Sequence, residues 1–386
     1  MQTIEAQKYC LRVTDGTHDS PKESGDGFFL ITSRHLRRFS LDYENAYRIS
    51  KSDYDKINER SKVEQWDILF SMIGTIGNLY IETNPNVNYA CKNVGIFKMG
   101  GNKQKALWLF YYLQSSEGKA YIKAHLRGTT QMYVPLDSLR QLPIPVYDEK
   151  RTATICKILY GLDRKIELNS KINGCLLDDA KAIFNSFYDA DNEHSPLSEI
   201  IDVLGGGTPK TKVTEYWDGA IPFFGPGDAT DTFVIETEKH ISQLGLDNCN
   251  SALYPVGTTF ITARGTVGKT CLVGVPMAMN QSCFALKPKR IAPELAYLYV
   301  QKSLRKLLGK ANGAVFDALT SKDIKEETIN RLDGAVETEI TRKVKPLFDL
   351  ILDNQFANQR LNTLRNSLLP KLMSGEIDVD SIRLDQ

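Results

Sequence analysis

Residues 263–270 are the segment of the chain that most resembles a catalytic motif. Their sequence, Ala-Arg-Gly-Thr-Val-Gly-Lys-Thr, nearly matches a phosphate-binding loop, with alanine in place of the first glycine. Such a loop needs a strand before it and a long helix directly after it, whose N-terminal amides hold the phosphates. Residues 271–276 instead have β-strand character and end in proline. We therefore expect a tight Gly-x-x-Gly turn that brings backbone close to a ligand. Nucleotide binding by Lys269 and Thr270 is the less favoured alternative.

Other arrangements of catalytic or metal-binding residues are absent from the sequence. The Asn-Pro-Pro-Tyr and Asp-Pro-Pro-Tyr tetrapeptides of methyltransferases do not occur, and neither does the Pro-Asp and Glu-x-Lys pattern of common nucleases. The seven cysteines lack the Cys-x-x-Cys spacing of a zinc or redox site, which predicts reduced thiols. We expect no catalytic residue, no metal site and no cofactor in this chain. The histidines lie singly, at His18, His35, His125, His194 and His240.

Length and charge set only broad limits. A chain of 386 residues predicts at least two hydrophobic cores. The 48 basic and 47 acidic residues give a formal net charge of +1, which neither supports nor excludes a polyanionic partner. The N-terminus has no apolar signal-peptide core, and no later stretch has the length needed to span a bilayer. We expect a cytoplasmic protein with no membrane partner.

Two long helices are predicted from apolar residues that alternate at spacings of four and three. The first pattern covers residues 149–188, which contain no proline. The second lies near the C-terminus, and each of its core positions is 185 residues after the matching position of the first. Both patterns place two asparagines at the same consecutive core positions. The first core series is Ile155, Leu159, Leu162, Ile166, Asn169, Asn173, Leu176, Ala180, Ile183 and Phe187, and the second is Ile340, Val344, Leu347, Ile351, Asn354, Asn358, Leu361, Arg365, Leu368 and Leu372.

The asparagines predict how the two helices pair. A buried asparagine costs stability unless it finds a partner, and its best-attested use in coiled coils is to set register and orientation. We expect Asn169 and Asn173 to meet Asn354 and Asn358 in one antiparallel pair. At 1.5 Å per residue, a helix of about 38 residues is roughly 57 Å long, so each helix is a spacer as well as a clamp. Pro346 leaves the start of the second helix open, because the helix is either kinked there or begins near it.

The segments before the two helices also resemble one another. The runs Ser-Met-Ile-Gly-Thr-Ile-Gly at 71–77 and Thr-Ala-Arg-Gly-Thr-Val-Gly at 262–268 lie 191 residues apart. We interpret the chain as a pseudo-twofold internal duplication of α+β class, with two similar globular domains separated by two long antiparallel coiled-coil helices. Weaker similarities join residues 15–17 with 206–208, 109–114 with 296–301 and 128–139 with 313–324. The predicted boundaries are 1–148 for the first globular domain, 149–190 for the central helix, 191–335 for the second globular domain and 336–386 for the C-terminal helix.

Several short motifs in this chain recur in one known family. Together they resemble the specificity subunits of type I restriction-modification systems, over essentially the whole chain. The first half departs from the family pattern, because Gly-Thr-His at 16–18 stands where Thr-Pro is expected. The matching motifs are Gly-Gly-Thr-Pro-Lys at 206–210, Tyr-Trp-Asp-Gly-Ala-Ile-Pro-Phe at 216–223, the Gly-Thr-Val-Gly turn, Asn-Gln at 280–281, Gly-Thr-Thr-Gln at 128–131, Leu-Pro-Ile-Pro at 142–145 and the final segment 364–375.

This resemblance implies a non-catalytic subunit that recognises a DNA sequence. Members of the family bind a bipartite asymmetric site in double-stranded DNA. Their helices dock two modification subunits, and one or more restriction motor-nuclease subunits join for cleavage. The assembled complex would methylate adenine and cut DNA, with S-adenosylmethionine and ATP bound only by those partners. Two domains on rigid helices suit a site with two read halves and an unread gap. Phosphate contacts would hold the duplex, and a few side chains would read base edges.

Candidate DNA contacts lie in polar loops rich in guanidinium, amide and hydroxyl groups. One alternative is a coiled-coil scaffold whose globular halves bind protein, which predicts no salt-sensitive affinity for DNA. The phosphate-binding loop described above is the other. The candidate contacts are Ser33, Arg34, His35, Arg37, Arg38, Arg127, Thr129, Thr130 and Gln131 in the first domain, and Lys210, Lys212, Arg264, Thr266, Lys269 and Asn312 in the second.

Overall fold

The computed structural model describes residues 2–188, 194–312 and 318–379, with the side chains of residues 310–312 outside that description. The chain divides into two compact units. The first unit combines residues 1–167 with 361–386, and the second consists of residues 168–360. Each unit therefore contains one globular part together with portions of both long helices.

The first unit is of mixed helix and strand composition. Its strands are β1 (Thr3–Glu5), β2 (Arg12–Asp15), β3 (Phe28–Ile31), β4 (Arg48–Ile49), β5 (Ile68–Ser71), β6 (Leu79–Ile81), β7 (Tyr89–Cys91), β8 (Val94–Lys98) and β9 (Pro143–Pro145). Its helices are α1 (Ala6–Tyr9), α2 (Lys51–Ser61), α3 (Lys103–Tyr112), α4 (Ser116–Ala124), α5 (Leu136–Arg140), the first part of α6 (Glu149–Phe187) and residues 361–374 of the last helix.

The described residues of the first unit form three sheets. The largest has the strand order β2-β8-β5-β6 and is antiparallel, the second has the order β4-β3-β7 with β3 and β7 parallel, and the third pairs β1 with β9. Successive residues of a strand point to opposite faces. In β5, Ile68 and Phe70 accordingly pack in one core with α3, while Leu69 packs in a second core with β7. The central sheet is therefore covered on both faces, which holds the turns at its edge in place.

The second unit also combines short strands with helices. Its strands are β10 (His194–Pro196), β11 (Ile201–Gly205), β12 (Ile221–Phe224), β13 (Phe233–Val234), β14 (His240–Ile241), β15 (Thr259–Thr262), β16 (Thr270–Val273), β17 (Ala278–Met279), β18 (Cys283–Pro288) and β19 (Thr328–Asn330). Its helices are the end of α6, α7 (Gln243–Asp247), α8 (Pro293–Asn312), α9 (Ser321–Lys325) and most of α10 (Gly334–Ser374).

Each sheet of the first unit has a counterpart in the second. The strand orders are β11-β18-β15-β16-β13, β14-β12-β17 with β12 and β17 parallel, and β10 with β19. The alternation of faces is also repeated, because Ile261 of β15 packs in the core that contains α8 while Phe260 packs in a separate core. The predicted α+β class and the predicted internal duplication are thus confirmed.

Helix α10 begins upstream of Pro346 and is continuous through it. The backbone carbonyl and the side chain of Asp333 each accept a first-turn amide at 2.8 Å, which starts the helix. Ile340, Val344 and Phe348 are fully buried. Burial of side chains of this size contributes roughly 1.5–3 kcal/mol each, which offsets the roughly 3 kcal/mol that a proline costs inside a helix. The predicted second helix therefore starts two residues before position 336 and needs no separate preceding turn.

Within the second unit, the structure brings the four predicted asparagines together. The Asn169 side chain donates to the Asn358 side-chain oxygen at 2.8 Å, and the Asn354 side chain donates to the Asn173 side-chain oxygen at 2.8 Å. Residue numbers rise along α6 as those of their partners fall along α10, so the helices are antiparallel there. Asn173 also donates to the backbone carbonyl of Ile351 at 3.3 Å. Each pair shares one hydrogen bond where a lone asparagine would be costly, and a one-turn slip of either helix would break both bonds.

Candidate nucleic-acid interface

In the first unit, three polar segments lie next to one another. The Thr75 hydroxyl donates to the Ser33 carbonyl at 3.1 Å, and the Val134 amide donates to the Met72 carbonyl at 2.9 Å. These bonds join two of the predicted contact segments to one turn. The three segments are the β5–β6 turn (residues 72–78), the segment 33–38 and the loop 127–133.

The β5–β6 turn is exposed and depends on two glycines. Gly74 has a φ of 75° and Gly77 a φ of 91°, a conformation that other residues adopt only with strain. A Cβ added at either glycine would meet no atom of the described chain within 4 Å, so the space beside the turn is open. The Ser71 hydroxyl closes the turn by donating to the Ile73 carbonyl at 3.2 Å. The turn therefore presents backbone and the exposed Asn78 side chain to solvent.

The loop 127–133 is a narrow hairpin loop whose tip is polar. The Arg127 and Tyr133 backbones exchange two hydrogen bonds, of 2.9 and 2.8 Å. Gly128 has a φ of 97°, and a Cβ there would lie 2.3 Å from the Gln131 carbonyl oxygen, so the loop tolerates only glycine at this position. The predicted contacts Arg127, Thr129, Thr130 and Gln131 are all exposed. The loop thus offers a guanidinium, two hydroxyls and an amide to a ligand.

The segment 33–38 divides into exposed and buried side chains. Arg34 and Arg37 are exposed, and Arg37 also lies 3.2 Å from the Asp42 carboxylate. Ser33 and His35 are buried. The His35 ring accepts the Thr32 amide at 3.0 Å through Nδ1, and burial lowers the pKa of His35. Ser33 and His35 therefore hold the conformation of this segment through buried contacts. Of these four side chains, only those of Arg34 and Arg37 face solvent.

Arg38 takes part in a buried charge network that the sequence did not predict. Its guanidinium donates to Asp163 of α6 at 2.8 Å, and Arg365 of α10 donates to the other Asp163 oxygen at 2.9 Å. The Tyr111 hydroxyl donates to the same carboxylate at 2.7 Å. Asp163 is 1% exposed. Burial and the adjacent Asp163 carboxylate raise the pKa of Tyr111. Arg38, predicted as a DNA contact, is thus held by an internal carboxylate and links the segment 33–38 to both helices.

The β15–β16 turn (residues 263–269) of the second unit repeats the backbone of the first turn. Gly265 has a φ of 79° and Gly268 a φ of 88°, within 4° of their counterparts Gly74 and Gly77. The Thr262 hydroxyl accepts the Lys269 amide at 2.9 Å. The predicted contacts Arg264, Thr266 and Lys269 are exposed on this turn.

The same turn excludes the geometry of a phosphate-binding loop. It joins β15 to the antiparallel strand β16, with Ile261 opposite Thr270. A phosphate-binding loop instead leads into a helix whose N-terminal amides face the phosphates. The predicted Gly-x-x-Gly turn is therefore present. The nucleotide-binding alternative is wrong, because it requires a helix after the turn and Thr270 instead begins a strand.

The remaining candidates of the second unit lie beside this turn. The Thr208 hydroxyl donates to the Gln281 side chain, and the next residue, Ser282, accepts the Ala263 amide at 2.8 Å through its carbonyl. The loop that carries Lys210 and Lys212 thereby adjoins the turn, and both lysines are exposed. The candidate Asn312 and the similarity proposed for residues 313–317 lie outside the described side chains and residues.

A metal site and a membrane-spanning helix each make specific demands on the described residues, 2–188, 194–312 and 318–379. Within those ranges, histidine, cysteine and carboxylate side chains form no group that could hold a metal ion. None of the described helices combines the length and the apolar character that crossing a membrane requires.

Two copies of one α+β fold, each with exposed polar turns at the edge of its largest sheet, make up most of the described chain. A family model described as the type I restriction modification DNA specificity domain matches residues 32–176 and again residues 190–349. The chain belongs to this family of type I restriction-modification specificity proteins. Membership confirms the resemblance drawn from the motifs, and it groups the chain with specificity subunits and not with catalytic ones.

Individual relatives agree with the family match. The chain is 23% identical to the type I restriction enzyme HindI specificity subunit of Haemophilus influenzae, over 82% of this chain and 88% of that one. It is 27% identical to the type I restriction enzyme MjaIX specificity subunit of Methanocaldococcus jannaschii, but that match covers only 44% of this chain and 40% of the relative. Among solved structures, the type I restriction-modification S subunit from M. genitalium has a TM-score of 0.55 at 13% identity, over 96% of this chain and 95% of that one. That likeness concerns the fold.

Proposed function

We propose that this chain reads a bipartite, asymmetric site in double-stranded DNA, with one half of the site contacted by each unit. The observation that carries the proposal is the pair of matching turns. The φ values of their glycines agree within 4°, yet Ile73 of the first turn corresponds to Arg264 of the second, and Asn78 corresponds to Lys269. One backbone frame thus presents two different sets of chemical groups, which suits two different half-sites.

The exposed candidates divide by chemistry into two roles. Lysine and arginine side chains neutralise phosphates, which supplies affinity without sequence information. Arginine, glutamine and asparagine also form paired hydrogen bonds with guanine or adenine edges in the major groove. On this proposal Gln131 and Arg264 are the strongest candidates for reading bases. The other proposed contacts are Arg34, Arg37, Arg127, Thr129, Thr130, Lys210, Lys212, Thr266, Lys269 and Asn312.

The proposal extends to the partners of the chain. The relatives it matches are named as specificity subunits of restriction enzymes, and a specificity subunit without a catalytic centre needs catalytic partners. We propose that α6 and α10 dock two modification subunits, and that one or more motor-nuclease subunits join them. S-adenosylmethionine and ATP would bind those partners, and the complex would act in the cytoplasm.

Salt dependence of DNA binding tests the proposal against the scaffold alternative. The full chain, purified with its modification-type subunit, is titrated into a fluorescein-labelled duplex at several salt concentrations. Six to ten phosphate contacts predict an affinity loss of roughly 10³- to 10⁵-fold between 50 and 200 mM salt. DNA affinity that is absent, or that salt does not change, would contradict the proposal and favour a protein scaffold.

A further inference from the structure

A groove of about 490 Å³ lies in the second unit, where α6 meets α8. We call it the α6–α8 groove. On the α6 side it is lined by Lys181, Phe184 and Asn185. The spacing of three and four residues puts these side chains on one face of the helix. Phe184 is buried and forms the floor, while Lys181 and Asn185 form a wall.

The α8 side of the groove follows the same spacing. Its lining residues are Leu298, Gln301, Lys302 and Arg305. Leu298 is buried and completes the floor, whereas Lys302 and Arg305 are exposed along the rim. The groove therefore has a covered apolar floor and two polar walls that carry amides and cations.

The charged side chains among the described lining residues of the groove are all cationic. Lys181, Lys302 and Arg305 are cationic, and none of the described lining residues is acidic. The Lys302 ammonium is positioned by the Asn185 side-chain oxygen at 2.7 Å and by the Tyr188 ring, whose centre lies 5.1 Å away. Neither contact neutralises its charge. Cations that lie together repel one another, and the described lining offers them no carboxylate, so this arrangement favours an anionic ligand.

The first unit carries no such charge at the matching positions. The offset of 187 residues between the similar segments 109–114 and 296–301 places Ser115 and Gly118 opposite Lys302 and Arg305. The offset of 185 residues between α6 and α10 places Asn366 opposite Lys181. The first unit therefore has no cation at these aligned positions, where its chain passes from α3 to α4 and the second unit has the single helix α8.

We propose that the α6–α8 groove binds the phosphate backbone of DNA beside the half-site that the second unit reads. This inference rests on the function proposed above. Ammonium, guanidinium and side-chain amide groups are those that commonly contact phosphates. An acidic protein surface fits less well, because the floor offers little apolar area: Phe184 is 2% and Leu298 is 1% exposed. Protein interfaces draw much of their affinity from a buried apolar centre, which this groove does not provide.

Neutralising the rim tests the inference. The variant Lys302→Gln/Arg305→Gln is compared with Lys119→Gln/Lys123→Gln, which removes the same charge from exposed positions on α4 of the first unit. Both full chains are purified with the modification-type subunit and titrated with a fluorescein-labelled random-sequence duplex at several salt concentrations. Each lost phosphate contact reduces the magnitude of the slope of log affinity against log salt by about 0.9. We therefore expect the slope of the rim variant to be smaller in magnitude by about 1.8, and its affinity at 0.1 M salt to be roughly 10- to 60-fold weaker. The control is expected to change the slope by less than about 0.5.

The single variant Arg305→Gln separates loss of DNA binding from loss of folding. Its side chain is exposed and takes no part in the contact between Lys302 and Asn185, so its replacement should not disturb the fold. It is expected to lower the slope by about 0.9 without changing the melting temperature. Equal slopes for the rim variant and the control would overturn the inference. Unchanged DNA binding with loss of the modification-type subunit would also overturn it, by assigning the groove to a protein partner. If the wild-type complex itself shows no salt-dependent DNA binding, the proposed function fails instead.

Discussion

Asp163→Ala removes the one carboxylate at the centre of the buried charge network in the first unit. Asp163 accepts hydrogen bonds from Arg38, Arg365 and Tyr111 at 2.7–2.9 Å. Its loss leaves two guanidinium groups without their shared anion and a buried hydroxyl without its acceptor. Removing one partner of a buried ion pair costs about 3–5 kcal/mol. We therefore expect the free energy of unfolding of the first unit to fall by about that amount. A shift of about 2–4 °C per kcal/mol corresponds to a loss of roughly 10 °C in its melting temperature.

Differential scanning calorimetry of the full chain measures the change, and hydrogen exchange shows which unit opens. Asp179→Ala is the matched control, because Asp179 is exposed on the same helix and its loss is expected to cost at most about 0.5 kcal/mol. An apolar triple variant, Arg38→Met/Asp163→Leu/Arg365→Met, is expected to regain most of the stability, because it leaves no buried charge unpaired. A loss below about 1 kcal/mol for Asp163→Ala, or equal destabilisation of both units, would refute the reasoning.

Three further predictions follow from single residues. His35 has a lowered pKa in the folded protein, so the unfolded chain binds its proton first as pH falls. Stability of the first unit is therefore expected to decline below about pH 6.5, and urea unfolding of His35→Gln should show a weaker decline. Gly268→Ala is expected to lower the melting temperature more than Gly77→Ala, because both have positive φ but only a Cβ at Gly268 meets Leu308, at 2.5 Å. Arg264→Ala is expected to relax one base preference by about 1–3 kcal/mol in competition binding, and uniform weakening on all sequences would instead make Arg264 a phosphate contact.

The duplication and the helix pairing could be predicted from the sequence, because both produce motifs that recur at a constant spacing. The turn motif with Gly74 and Gly265 keeps its spacing, since a positive φ admits few alternatives to glycine. The asparagines of the helices stand out because polar residues at core positions are rare. Local rules of backbone geometry and period therefore predicted the fold class and the elements that carry the candidate site.

Burial within the helices was harder to predict. The alternating pattern assigned Leu162 and Leu347 to the core, but the structure buries their neighbours Asp163 and Phe348 more completely. A two-helix seam has only one buried face, whereas here a globular domain also packs against each helix and buries a second face. The signal for Asp163 was available only in three dimensions, because its partners Arg38 and Arg365 are distant in the chain.

The candidate contacts show a related limit. Polar residue type predicted surface exposure for Ser33, His35 and Arg38, yet Ser33 and His35 are buried and Arg38 is paired with Asp163. These residues come after strand β3, whose last two residues are buried, and their side chains make hydrogen bonds to other parts of the unit. Short hairpin loops such as 127–133 were predicted better, because both of their ends are tied and their tips have only solvent to face.

The most direct test of the central claim is the methylation pattern of DNA in cells that express this chain with its modification-type subunit. Methylation sequencing is done for the native chain and for a chimera in which residues 1–148 are exchanged for those of a relative. The account predicts a gapped, asymmetric methylated motif in which the exchange alters one half and leaves the other unchanged. Methylation that is absent, or that the exchange does not alter, despite a well-formed complex, would contradict it.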